Sequence, residues 1–234
     1  STRKESSAAS DVYKRQAKPI KKVRVAFVGL GMRGPSAVIR FCQIPGVEIV
    51  GLCDYERDRA EAQQARLRKA GLAPASIYSG EKGYEKLCKR PDVDLIYIAT
   101  DWNHHFPIAK YAMENNKHVA LEVPSAMNLE QCWDLINLSE KTRKHCFILE
   151  NCCYDDFEMK SLLMAKDGVF GEVIRAEGAY IHELSEYWTH YWKDPNDNDK
   201  DNLHWRMKYN MENRGDIYPC LLYTSPSPRD ATLS

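Results

Sequence analysis

Apolar residues change their spacing repeatedly along the chain, and each change marks an element. Val23, Val25, Phe27 and Val28 form a short β-branched run that predicts a buried strand. After a glycine-rich turn, Ala37, Val38, Ile39 and Phe41 fall at helical spacing, and Val47 to Cys53 predicts a second strand ending on Asp54. A charged helix follows and stops near Gly71. A link through Ser79 and Gly80 then leads to a short helix holding Tyr84, Leu87 and Cys88. Val93 to Thr100 predicts a strand, Pro107 to Asn115 a helix, and His118 to Leu121 a strand. Leu129 to Arg143 predicts a helix with Cys132, Leu135, Ile136 and Leu138 on its apolar positions, and Cys146 to Leu149 a last strand. Alternation of this kind predicts a parallel, doubly wound sheet.

The pattern changes after Tyr154. Asp156 to Lys166 predicts a helix, and Gly168 to Gly171 turns into an alternating strand, Glu172 to His182, of a different sheet. Tyr187 to His190, Trp192 and His204-Trp205-Arg206 then set aromatic rings around a polar loop, Asn196 to Asn202. Rings beside polar groups suit the wall of a sugar site, and equally a core or an interface.

The turn between the first strand and helix reads Gly29-Leu30-Gly31-Met32-Arg33-Gly34, a G-x-G-x-x-G, and Asp54 closes the second strand 20 residues after Gly34. Strand, glycine turn, helix, strand and acid together are the context of a dinucleotide-binding motif. Gly29 allows the tight turn, Gly31 leaves room for the pyrophosphate, and Gly34 lets the helix approach the strand. Helix-start amides then face the phosphates, and Pro35 suits the first turn. Asp54 accepts from the ribose hydroxyls and repels a 2′-phosphate, so NAD is expected over NADP. Arg57 and Arg59 read as solvated, with the adenine as the alternative.

Ligands of such sheets bind beyond the carboxyl ends of the strands. The residues there are Thr100-Asp101-Trp102-Asn103-His104-His105, Glu122-Val123-Pro124 and Glu150-Asn151. Helix capping is the alternative for the histidines, and capping or ion pairing for a single carboxylate.

Composition narrows the field. The chain has 234 residues, 33 basic and 33 acidic, so no global field favours nucleic acid. No apolar run approaches the ~20 residues of a membrane span. The cysteines are scattered without C-x-x-C pairs, which predicts buried thiols in place of a disulfide framework or a metal site.

The two ends read differently. DVYKRQ (11–16) and CLLYTS (220–225) back-translate, with permitted codons, into one inverted repeat, as translated library adapters do. Residues 1–16 and 220–234 are therefore expected to be adapter-derived tails. Between them the expected domains are 17–151, binding the dinucleotide, and 152–219, a substrate domain cut short. On this reading Cys220 is not native, and a leader, if the parent has one, would lie upstream of this sequence.

Taken together, the glycine motif, Asp54, the Thr100 segment, E-x-P at 122–124 and the second domain resemble the glucose–fructose oxidoreductase family across residues 20–219. Sugar dehydrogenases of that group carry a catalytic lysine where this chain has Val123. GLGMRGP, TDWNHH, LEVPSA, LEN and GDIYP are more similar to the NAD-dependent α-N-acetylgalactosaminidases.

The resemblance implies a Rossmann-type doubly wound parallel sheet plus a truncated α+β second domain with an open, mostly antiparallel sheet. It implies NAD held by Gly29, Gly31, Met32, Arg33, Gly34, Asp54, Thr100, Trp102, Asn103, His104, His105, Glu122, Val123 and Asn151. Glu150, Tyr180 and Tyr218 are the implied catalytic residues, with Arg206 and Pro219 joining the two tyrosines against a glycan substrate. No metal is implied, and the family's catalytic histidine falls beyond Pro219. The implied reaction oxidises C3 of the sugar, eliminates the aglycone, adds water and returns the hydride, with retention. This fragment is expected to be inactive. The alternatives are an NAD-dependent sugar or inositol dehydrogenase, and a dinucleotide-binding regulator without turnover. Export and homo-oligomerisation of the intact parent are left open.

Overall fold

The computed structural model describes residues 20–150, 154–175 and 177. The chain divides into two compact units, 1–149 and 150–234.

The first unit is built on six parallel strands: β1 (Val23–Val28), β2 (Val47–Asp54), β3 (Ser76–Ser79), β4 (Leu95–Ile98), β5 (His118–Leu121) and β6 (Cys146–Ile148). They lie in the order β3-β2-β1-β4-β5-β6. Helices α1 (Gly34–Phe41), α2 (Arg57–Lys69), α3 (Gly83–Cys88), α4 (Trp102–Glu114) and α5 (Leu129–Thr142) fill the crossovers.

Strand periodicity divides the core into two layers. Val25, Phe27, Leu95, Tyr97 and Ala120 pack on one face with Ala37 and Val38 of α1 and Ala60 and Leu67 of α2. Ala26, Val28, Ile96, Ile98, Val119 and Leu121 pack on the other with Leu87 of α3, Ile108 and Met113 of α4, and Leu135 of α5. Both faces of β4 are covered, so LIYI is buried at every position. That explains the unbroken apolar run in its sequence.

The expected strands and helices of this unit are present, with three differences. β3 was read as a link, because only Ile77 and Tyr78 among its four residues are large and apolar; β2 supplies its ladder through Gly51 to Asp54. α4 begins at Trp102, five residues ahead of the expected start at Pro107. Asp101 caps it by accepting from the Asn103 amide at 3.1 Å, and Pro107 lies inside the helix, where its ring leaves one carbonyl without a backbone donor. Ile136 of α5, expected on the buried face, is half exposed.

The second unit has one described helix, α6 (Asp156–Lys166), as expected. Residues 172–175 and 177 belong to no strand. The rest of the expected Glu172–His182 strand, the expected second sheet and both tails lie outside the described residues. Among the described residues, no helix is long and apolar enough to cross a membrane.

Candidate dinucleotide site

Parallel strands put their carboxyl ends on one edge, and the order reverses between β1 and β4. That is the switch point at which doubly wound sheets bind ligands. Gly29 follows β1, Asp54 ends β2, Thr100 follows β4 and Glu122 follows β5. The ladder runs on past the strands: Gly29 N–H donates to the Cys53 carbonyl at 2.9 Å, Ala99 N–H to Val28 at 2.8 Å and Glu122 N–H to Ile98 at 3.0 Å. The backbone of this rim is therefore fixed by the sheet.

The three motif glycines have different reasons to be glycine. Gly29 has φ +92°, and a Cβ there would lie 2.5 Å from the Ala99 carbonyl. A Cβ on Gly34 would lie 2.1 Å from the Gly29 oxygen. Packing explains both. A Cβ on exposed Gly31 meets no atom closer than Nη1 of Arg59 at 3.8 Å. Among the described residues nothing fills that space, which is where the motif places a pyrophosphate. The helix start beside it suits an anion: Arg33 at the N-cap makes no capping bond with its side chain, and the first turn of α1 has no acid. The residues present therefore fit a bound dinucleotide.

Asp54 is 5% exposed and already engaged. Its Oδ2 accepts from the Leu30 amide at 2.6 Å, tying β2 to the glycine turn. Its Oδ1 accepts from the Glu56 amide at 3.0 Å and from Arg59 at 3.4 Å. A carboxylate has about four acceptor positions, so capacity for a hydroxyl remains. Arg59, read from the sequence as solvated, reaches this carboxylate from α2 while staying half exposed.

Across the switch point, Glu122 accepts a short hydrogen bond from the Tyr97 hydroxyl. Its other oxygen is 3.9 Å from Nε of Arg33. Met32 and Arg33 are exposed, and Val123 is half-buried at the turn formed with Pro124. Thr100 donates to the Asp101 carbonyl at 3.2 Å.

The four residues Trp102 to His105 separate by helical position. Asn103 and His104 are exposed, and Nδ1 of His104 lies 2.6 Å from Asp101. Trp102 and His105 are buried. The His105 nitrogens lie 2.7 Å from the Pro124 carbonyl and 3.1 Å from that of Thr100. Burial pushes the His105 pKa down, against the two carbonyls, which raise it. A neutral imidazole has a single N–H, so His105 donates to one of these two carbonyls and packs against the other, while His104 faces outward.

Glu150 stands two residues past β6, where the second unit begins. Asn151, Tyr180, Arg206, Tyr218 and Pro219 lie outside the described residues. Sequence reasoning passed over Tyr97, named Asp101 on the rim without a role, and gave Arg59 as solvated with the adenine as the alternative. The available signal for Tyr97 was a single polar tip inside a strand that is apolar at every other position.

Comparison with known proteins agrees with this geometry. Residues 23–149 match the model of an oxidoreductase family with an NAD-binding Rossmann fold. Residues 154–222 match that of the glycosyl hydrolase 109 C-terminal domain. The chain is 78% identical over 202 residues to glycosyl hydrolase family 109 protein 3 of Phocaeicola vulgatus, covering 86% of this chain and 37% of that protein. It is 54% identical over 209 residues to glycosyl hydrolase family 109 protein 1 of Bacteroides thetaiotaomicron, covering 89% and 43%. The chain thus spans less than half the length of these relatives.

Among solved structures, an NAD-binding protein from Listeria innocua superposes with a TM-score of 0.55 at 27% identity, over 65% of this chain and 42% of that one. The myo-inositol dehydrogenase of Lactobacillus casei, in complex with NAD(H) and myo-inositol, gives 0.57 at 22% identity over 64% and 43%, a likeness of fold. The chain belongs to the oxidoreductase family with an NAD-binding Rossmann fold, and carries behind that domain a match to the glycosyl hydrolase 109 C-terminal domain.

Proposed function

We propose that the full-length protein is an NAD-dependent retaining glycosidase that removes terminal α-N-acetylgalactosamine. One observation carries the reading: a dinucleotide cradle and a glycosyl hydrolase 109 C-terminal domain follow one another on a single chain. Relatives 78% and 54% identical to this chain are named as glycosyl hydrolases. Val123 supports it too, since it offers no amine where the resembling sugar dehydrogenases use a lysine.

Bound NAD supplies reversible hydride transfer at a sugar carbon, and the cycle as a whole is redox-neutral. The chain's residues hold, orient and move protons. Asp54 receives the adenosine ribose and disfavours a 2′-phosphate, which favours NAD over NADP. Gly31 and the α1 start receive the pyrophosphate, with Met32 and Arg33 at its side. Thr100, Asn103, His104, Glu122 and Val123 border the nicotinamide half, buried Trp102 and His105 hold that rim from behind, and the family resemblance adds Asn151 to the set. Glu150, Tyr180 and Tyr218 are the candidates for removing the sugar C2 proton and protonating the leaving oxygen. Arg206 and Pro219 join the two tyrosines in shaping the sugar site.

The test is an assay of the full-length protein on p-nitrophenyl α-N-acetylgalactosaminide, following nitrophenol and NADH together. Nitrophenol without net NADH is expected. NADH accumulating with free sugar, and no nitrophenol, would make the protein a dehydrogenase. Retained NAD with neither product would leave a regulator. In the same assay Glu150→Gln is expected to lower turnover at least about 100-fold, the usual scale for an acid–base group, while NAD is retained. Wild-type turnover would remove Glu150 from the chemistry.

A further inference from the structure

We infer that Tyr97 is a positioning residue of the cofactor site, acting through Glu122 on Arg33 of the glycine-rich turn. The inference rests on the dinucleotide reading above and adds a residue to it.

Tyr97 sits at the third position of β4, paired with Phe27 of β1 and Ala120 of β5. Its ring lies 5.0 Å from that of Phe27 and 5.4 Å, edge-on, from that of Phe41. The residue is 2% exposed. A phenylalanine would satisfy this aromatic cluster. A buried hydroxyl is costly unless it is hydrogen-bonded, so the phenolic oxygen needs a use that packing does not supply.

Its partner is Glu122, one residue past β5. Burial and the neighbouring carboxylate both hold the phenol well above its ordinary pKa, so it remains a donor. With one oxygen held from the core and its amide fixed to Ile98, the carboxylate has little freedom to swing. The other oxygen is then directed to Arg33, whose guanidinium is 3.9 Å away and half exposed. Arg33 is the N-cap residue of α1, beside the phosphate cradle. A chain of three polar groups therefore runs from the sheet interior to the glycine turn, crossing the switch point between β1 and β4.

The test is a double-mutant cycle on NAD affinity in the full-length protein. Tyr97→Phe keeps the ring and is expected to raise the NAD dissociation constant about tenfold, since a hydrogen bond to a charged group is at stake. In a Glu122→Gln background the same change is expected to alter affinity less than about twofold. Fully additive losses would overturn the inference, because a merely structural tyrosine would weaken both backgrounds alike. A second cycle, Glu122→Gln with Arg33→Gln, reads the outer half without disturbing the core, and additivity there would overturn it as well. Wild-type protein that binds no NAD would refute the underlying cofactor reading. Wild-type protein that binds NAD, with a Tyr97→Phe variant of equal affinity, would refute only the role of Tyr97.

Discussion

Gly31 and Gly34 stand three residues apart and separate two demands on one turn. Gly34→Ala drives a Cβ to 2.1 Å from a backbone oxygen, so the turn itself must open. That variant is expected to lose both thermal stability and NAD binding, as read by calorimetry. Gly31→Ala meets only Arg59 at 3.8 Å. It is expected to melt within a few degrees of wild type, yet bind NAD at least about tenfold more weakly, since the methyl takes space left for the ligand. A variant that melts early would assign Gly31 to packing. Asp54 divides its work similarly, one oxygen on the Leu30 amide and the other toward Glu56 and Arg59. Asp54→Asn keeps an acceptor but drops the charge, leaving Arg59 beside the ribose position. The expected result is a fall of about tenfold in preference for NAD over NADP, measured as a ratio of dissociation constants. An unchanged ratio would place the discrimination elsewhere.

At the scale of elements, the amino edge of the sheet is fastened by charge and hydrogen bonding. Arg24 of β1 forks onto Asp94, just before β4, with contacts of 2.9 and 2.7 Å, and the Asp94 carboxyl is held below its usual range by that guanidinium. Beside it, Nδ1 of His118 accepts from the His145 amide at 3.0 Å, and the two rings stack at 5.2 Å. Burial, then the charges of Lys144 and His145, lower the His118 pKa to about 4. The unfolded chain therefore binds a proton near pH 6.5 that the folded one refuses until about pH 4. Stability from this group is fully present above pH 6.5 and is lost as pH falls toward 4, by up to about 1 kcal/mol per pH unit. His118→Asn keeps an acceptor and gains no proton, so its denaturation midpoint is expected to be flatter over that window. An equal slope would show that other groups set the dependence.

Legibility at this scale followed burial. β1, β2, β5 and α6 were readable because their apolar periods are long or their ends are marked, as at Asp54. β3 was not, because its pairing partner, rather than its own four residues, defines it. The start of α4 was hidden by Pro107, whose habit of opening helices drew the reading five residues late, while Asp101 held the true cap. The motif glycines and Asp54 could be found from spacing alone. The Tyr97–Glu122–Arg33 chain could not, because it joins three segments that meet only in the folded sheet.

At the scale of the whole molecule, one exposed apolar stripe of the first unit lies along α5. Leu129, Trp133 and Ile136 recur on α5 at one-turn and two-turn spacing, and all are at least half exposed. Exposed apolar stripes of this kind favour association. Trp133→Gln is expected to reduce self-association of this chain in light scattering without changing NAD affinity. Unchanged scattering would show that the stripe drives none of it.

The sheet order also sets a timetable. β1 lies between β2, its neighbour in sequence, and β4, whose fastening to β1 joins residues 70 apart, Arg24 and Asp94. While the chain is being made, at about 5–20 residues per second, the ribose-binding half emerges several seconds before β4 exists to close the other side. Until then the edge of β1 that will receive β4 is open, and the nascent protein has a glycine turn and an aspartate but no second wall. Cofactor capture thus waits until Glu122 has emerged, and the exposed edge before it is the part of the nascent sheet most open to wrong pairing.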